Sequence, residues 1–338
     1  MIGWLTVAPL YGRWPIAPDL PEAFTFDDCL RLSRVPAWLR DPSFWAALSP
    51  VDKRLLTETE FAWFVRWSGD DNREVDRGWA ESVGVPPLSP DFPNKLISLA
   101  DTAMWLAQPS GATWRVQIDL EVCGPEPTSW QLRRTLQWGP LQLLAHEAYR
   151  STPYRQESLD LAKRLYLSLR DLGSDSIIWP GLRSLRIGLR QEDWPVRFLL
   201  IWIALESLFG PMNPGESRYR LAQRAAFFLA NDSASAEELA KRLKESYDVR
   251  SAIVHGFHRE RAWKRAEHEE VMGWLLDVEM LARAAYVAIL SDSALKSTFE
   301  SAEERERFLD RAVFRGPMGF GPSALLLGGA DGSNVSDT

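Results

Sequence analysis

Within the stretch YDVRSAIVHGFHRE, residues 247–260, two side chains are of the types that do chemistry together, Arg250 and His255. A guanidinium is charged at every accessible pH and binds oxyanions through parallel hydrogen bonds, whereas an imidazole exchanges its proton near neutrality. Such a pair suits anion stabilisation and proton transfer. Five residues rotate a straight helix by about 140°, so the two side chains do not share a stripe. Their convergence needs the reach of the arginine, a distorted last turn, or a second copy of the helix. His255 directly precedes Gly256. A helix ending there favours the imidazolium through its macrodipole. Ser251 lies four residues before His255, on its face, and within hydrogen-bonding reach of the ring.

Arg250 raises a second question, that of burial. At about 100° per residue, Leu239, Leu243, Ser246, Tyr247, Ile253 and Val254 fall within about 60° of it, while Lys241, Glu245, Asp248 and Ala252 lie opposite. The arginine is therefore expected to point into a bundle or a partner, where an unpaired charge is costly. The only ionisable residue in the apolar run LLIWIALESLF is Glu206. An ion pair between Glu206 and Arg250 across two packed helices is the expectation. Spacing alone leaves open a pair that only fixes helix register, with His255 an ordinary helix-end residue.

The elements that must position these residues are helical. The period of RQESLDLAKRLYLSLRDLG predicts a helix with Leu159, Ala162, Leu165, Tyr166 and Leu169 as its stripe and Gly173 as C-cap. A weaker period covers LRSLRIGLR. WPVRFLLIWIALESLFGP is apolar nearly all round, which predicts a central buried helix stopped by Gly210 and Pro211. SRYRLAQRAAFFLA follows, with Ser217 as N-cap. SAEELAKRLKESYDVRSAIVHG opens with Ser235 and Glu238 in capping-box spacing. HEEVMGWLLDVEMLARAAYVAIL carries the stripe Val271, Trp274, Leu275, Val278, Leu281, Ala285 and Ile289.

Upstream of residue 150 the texture is different. WRVQIDLEV alternates Trp114, Val116, Ile118, Leu120 and Val122 against Arg115, Gln117, Asp119 and Glu121, the pattern of a half-buried strand. EFAWFVRW repeats it with Phe61, Trp63, Val65 and Trp67, and NKLISLADTAMWLA has helical spacing. Sixteen tryptophans are present. Their strand-face and stripe positions assign them to core packing rather than to base or sugar stacking. The expected organisation is an α+β domain over 1–149, an all-α helical bundle over 150–312 and a flexible tail over 313–338.

Composition bounds the function. The two cysteines, Cys29 and Cys123, form no CxxC pair, so neither a disulfide framework nor a zinc ribbon is available and a cytoplasmic setting is expected. No apolar run approaches the roughly 20 residues that span a bilayer. His255, His258 and His268 lack the cysteines or acidic cluster that would complete a ligand set, so no metal is expected, and no motif points to another cofactor. The net charge of −7 is uneven: −6 over residues 1–149, +6 over 150–265 and −7 over 266–338. The basic middle segment can attract phosphate although the whole chain is acidic.

Taken together, WIALESLFG, a variable loop, a helix and ESYDVRSAIVHG resemble the HEPN superfamily, and in particular its ApeA-like branch, over roughly residues 150–295. The branch carries an aromatic-Asp-x-Arg segment running into a His-Gly, here Tyr247, Asp248, Arg250, His255 and Gly256. The stretch from Arg250 to His255 fits the superfamily pattern RxxxxH. Many active members have Asn, Asp or His directly after the arginine, where this chain has Ser251. The resemblance implies a helical domain that forms homodimers, with two such motifs facing each other in one composite site, and a metal-independent endoribonuclease. Arg250 and His255 would then be the catalytic residues, supported by Glu206, Ser251, Tyr247 and Asp248, with RNA as substrate. It further implies a toxin or antiviral defence effector, under control of a regulatory partner or antitoxin. A HEPN-like module that binds RNA, nucleotide or protein without cutting is the alternative, and a helical scaffold is a third reading.

Overall fold

The computed structural model of the protein describes residues 3–11, 20–40, 50, 53, 59–68, 92–109, 113–114, 116–123, 131–137, 154–173, 176–191, 193–212, 217–255 and 268–321. An N-terminal antiparallel sheet is followed by a region that is mostly helical. The chain falls into two compact units, Met1–Ser174 with Arg190–Glu192, and Asp175–Leu189 with Asp193–Thr338.

The first unit is built on strands β1 (Gly3–Tyr11), β2 (Ala23–Thr25), β3 (Leu30–Arg34), β4 (Phe61–Ser68), β5 (Thr113–Trp114), β6 (Val116–Val122) and β7 (Gln131–Gln137). They pair antiparallel in the order β2-β3-β4-β1-β6-β7, and β5 pairs the end of β1. The strand expected over residues 114–122 is present as β5 and β6. It is not half-buried, however. Ile118 and Leu120 join Leu5, Val7, Ala62 and Phe64 in one core cluster, but Gln117 and Asp119 on the opposite face are also buried. These polar groups are joined by hydrogen bonds: Thr6 Oγ1 donates to Asp119 Oδ1 at 2.6 Å, Gln117 Nε2 donates to the same oxygen at 3.0 Å, and Trp67 Nε1 donates to Thr6 Oγ1 at 2.9 Å. Alternation identified the strand; covering of both faces is set by neighbours that a period of two does not encode.

Helix α1 (Phe92–Ala107) and helix α2 (Gln156–Arg170) pack together in this first unit. The α2 stripe is buried as expected, with Leu159, Ala162, Leu165, Tyr166 and Leu169 inside. The helix lies beyond the expected boundary at 149 yet belongs with the sheet. Tyr154 OH donates to the carbonyls of Met104 (3.1 Å) and Gln108 (2.5 Å), and Ser158 Oγ donates to Gln108 Oε1 at 2.6 Å. Tyr166 OH and Arg170 Nη1 both donate to Asp27 Oδ2, while Asp27 Oδ1 accepts from the backbone of Cys29 and Leu30. Burial and the Asp27 carboxylate push the Tyr166 phenol well above its ordinary value. The helix ends with Asp171 as its C-cap, two residues before Gly173.

The second unit contains α3 (Ile178–Gly188), α4 (Trp194–Phe209), α5 (Ser217–Leu229), α6 (Ser233–His255), α7 (His268–Ser291), α8 (Ser293–Glu300) and α9 (Ala302–Arg315). The apolar run forms α4, the central helix, which stops at Gly210, whose N–H reaches the Glu206 carbonyl at 2.8 Å. Trp179, Trp202 and Tyr286 are fully buried, and Phe209, Phe228, Phe299 and Phe308 form an edge-on aromatic cluster. Asp292 and Ser301 cap α8 and α9, their side chains accepting from backbone N–H groups of the first turns. The segment 313–338, expected as a flexible tail, is structured as far as Gly321. Residues 318–321 donate backbone hydrogen bonds to the carbonyls of Phe227, Phe228, Leu229 and Ala230, the acceptors that the end of α5 leaves open. Residues 322–338 lie outside the described residues.

Candidate functional site

The site is built on α6 and its neighbours. The helix begins two residues before the expected capping box: Asp232 is the cap, its Oδ1 accepting from Ser235 N at 2.8 Å and its Oδ2 from Ser235 Oγ at 2.9 Å. Ser235 thus contributes to the cap as a donor to Asp232, and hydrogen bonding holds the exposed Asp232 carboxyl below its ordinary value. Ala236, Leu239, Leu243 and Ser246 form the buried stripe. Arg250 continues that row by helical spacing, but burial runs out in the last turns: Tyr247, Arg250 and Ile253 are half-buried and Val254 is exposed.

Glu206 and Arg250 form the expected ion pair, linking α4 to α6. Arg250 Nη2 lies 3.0 Å from Glu206 Oε1 and donates to Oε2 at 3.1 Å. The guanidinium also faces the Tyr247 ring, its carbon 5.3 Å from the centroid. Trp202, one turn before Glu206 on α4, donates through Nε1 to Ser246 Oγ at 3.2 Å and meets the Tyr247 ring edge-on. Trp202 and Glu206 therefore grip Ser246, Tyr247 and Arg250 from one face of α4. Burial pushes the Glu206 carboxyl above its ordinary value, against the pull of Arg250 and of a hydrogen bond from Tyr247. Arg250 Nε is buried and makes no hydrogen bond among the described residues.

The other expected members are placed differently. His255 is the last residue of α6 and is exposed. Five residues separate it from Arg250, and the helix is unbroken between them, so the two project in directions about 140° apart. Asp248 turns away from Arg250 and takes a donated hydrogen bond from Arg218 of α5 at 2.5 Å. Ser251 is half-buried between the two directions. Gly256 and His258 lie outside the described residues, and no three His, Cys, Asp or Glu side chains form a metal-holding group among the described residues. No described helix is long and apolar enough to cross a membrane.

Two charge clusters centred on buried arginines are not marked by any pattern in the sequence. Arg197, at the start of α4, pairs with Glu279 of α7, with side-chain exposures of 7% and 0%. Arg224 of α5, 1% exposed, donates to Glu306 and Asp310 of α9 and to the Phe209 carbonyl. Hydrogen bonding to Arg224 draws the Glu306 carboxyl below its ordinary value. Glu279 follows Leu275 by four residues on the α7 stripe, a position that asks for a partner, and Arg197 precedes the apolar run by one residue.

Compared with known proteins, the chain matches no family model, no curated protein and no solved structure.

Proposed function

We propose that the second unit is a metal-independent, HEPN-type endoribonuclease acting as a homodimer in a toxin or antiviral defence effector. The observation that carries this reading is the setting of Arg250. It is oriented by Glu206 and Tyr247 at the half-buried end of α6 and shares its helix with an exposed His255. Held through Nη2 by Glu206 and 21% exposed, the guanidinium is pre-oriented for a phosphate that reaches its open side.

In this mechanism an imidazole accepts the proton of an RNA 2′-hydroxyl as its oxygen attacks the adjacent phosphorus. Arg250 stabilises the charge that collects on the phosphorane oxygens. The bond from phosphorus to the 5′-oxygen then breaks, that oxygen takes a proton from an imidazolium, and the products are a 2′,3′-cyclic phosphate and a 5′-hydroxyl. Because Arg250 and His255 diverge on one helix, two α6 helices must meet for both residue types to address one phosphate. Purified protein incubated with total RNA in EDTA should generate new 5′-hydroxyl ends. Arg250→Ala and His255→Ala should each abolish them, with RNA binding weakened more by loss of the arginine. A strictly monomeric protein at micromolar concentration would refute the composite site. Engagement of Arg250 by both oxygens of Glu206 favours the second reading, RNA binding without cleavage, which intact binding with no new ends would select.

A further inference from the structure

Beside His255, α6 carries a second set of groups that the cleavage step does not use. Lys244, Asp248, Ser251 and His255 follow one another at intervals of four, three and four residues and so form one row on the helix. The start of α5 packs along this row. Arg218 Nη2 donates to Asp248 Oδ2 at 2.5 Å and to the Lys244 carbonyl at 3.5 Å, and Lys244 Nζ lies 5.2 Å from the centroid of the Tyr219 ring. Tyr219 is 57% exposed, and the Arg218 side chain is 49% exposed. The ring thus presents open aromatic surface, with a cation at one side and a second cation one residue away in the chain.

We infer that Tyr219, Lys244 and Arg218 form a platform for single-stranded RNA that leads the strand to His255. The inference rests on the RNA reading above. Tyr219 stacks a base, an interaction every base can make because each has a π-face, and Lys244 and Arg218 hold flanking phosphates. Asp248 shares the charge of Arg218, so Lys244 is the stronger phosphate contact, with exposed Lys241 one turn back on the same side of α6. Helical rise sets Lys244 about 16 Å along the axis from His255. The stacked base therefore belongs to a nucleotide several positions from the bond that is cut, and Tyr219 is a positioning residue. Such a platform prefers unpaired strands, because the faces of bases in a duplex are already stacked.

The test measures binding by fluorescence anisotropy in a His255→Ala background, which prevents cleavage, using a labelled single-stranded RNA of about 12 nucleotides and its blunt duplex. Tyr219→Ala should weaken single-strand binding about tenfold, and Tyr219→Trp should restore it, because stacking needs a flat ring rather than a hydroxyl. Lys244→Ala should lower the slope of log affinity against log salt by about one. Asp248→Asn should tighten binding by releasing Arg218. If the background protein binds RNA and Tyr219→Ala changes its affinity less than twofold, the platform is refuted and the RNA reading stands. If the background protein and its parent bind no RNA, both fall together.

Discussion

Removing the carboxylate of Glu279 should cost far more stability than removing that of Glu206, although each is paired with an arginine across two helices. The Arg197–Glu279 side chains are 7% and 0% exposed, and those of Arg250–Glu206 are 21% and 27% exposed. Glu279→Ala strands a guanidinium where water does not reach, for which the expected loss is about 3–5 kcal/mol. After Glu206→Ala, Arg250 keeps the face of Tyr247 and gains hydration through its exposed edge, so the loss falls to about 1–2 kcal/mol. Urea denaturation followed by far-UV circular dichroism reads both, provided the slope with denaturant is unchanged. Joint replacement by Arg197→Met and Glu279→Leu should recover most of what Glu279→Ala loses, because the dominant cost is the unpaired charge rather than the missing bond. Equal losses for the two single variants, or a loss under about 1 kcal/mol for Glu279→Ala, would refute the assignment of cost to burial.

Other expectations follow from particular contacts. Glu306, drawn below its ordinary value of 4.5 by Arg224, should supply stability above that pH that is lost as pH falls through the lower folded value. Glu206, raised above 4.5 by burial, should do the opposite, stability declining as pH rises from 4.5 to its folded value; Glu206→Gln should remove that decline from a melting series across the window. Gly181→Ala would place a Cβ 1.8 Å from Ser207 Oγ and 2.3 Å from Tyr286 OH, so thermal melts should show a loss of about 1–3 kcal/mol. Gly273→Ala, with nothing within 4 Å of the added carbon, should instead gain about 0.4–1 kcal/mol. Ending the chain after Arg315 deletes the four backbone hydrogen bonds onto the end of α5, and amide exchange there should speed up with a loss of about 2–4 kcal/mol.

The sequence made legible whatever depends on periodicity within one element. The α2 stripe, the all-round apolar α4 and the strand at 116–122 are read directly from spacing, and Glu206 was found because it is the only charge in its run. What spacing does not carry is the partner. The α2 stripe says that a helix buries one face, but not that the face belongs to the sheet. Strand β1 has residues on both faces buried and a proline within it, so it shows no clean alternation. Arg224 sits among alanines and phenylalanines, and its two carboxylate acceptors lie more than 80 residues away on another helix. The divergence of Arg250 and His255 was legible from the helix alone, whereas the outward turn of Asp248 depended on Arg218, a residue on another element.

The path of the chain between the two units bears on how the protein can be divided in the laboratory. Residues 175–189 enter the second unit, 190–192 return to the first, where Arg190 lies 4.0 Å from Asp101, and the chain then leaves again at Asp193. A fragment starting near residue 150, where composition changes, would carry away α2 with Leu159, Leu165, Tyr166 and Leu169 stripped of their cover, and would invite aggregation. Starting at Asp175 instead leaves α2 with the sheet it belongs to. A cut that respects the division of the chain thus falls some 25 residues downstream of where the helical texture begins, and activity lost from a shorter N-terminal deletion would say nothing about regulation.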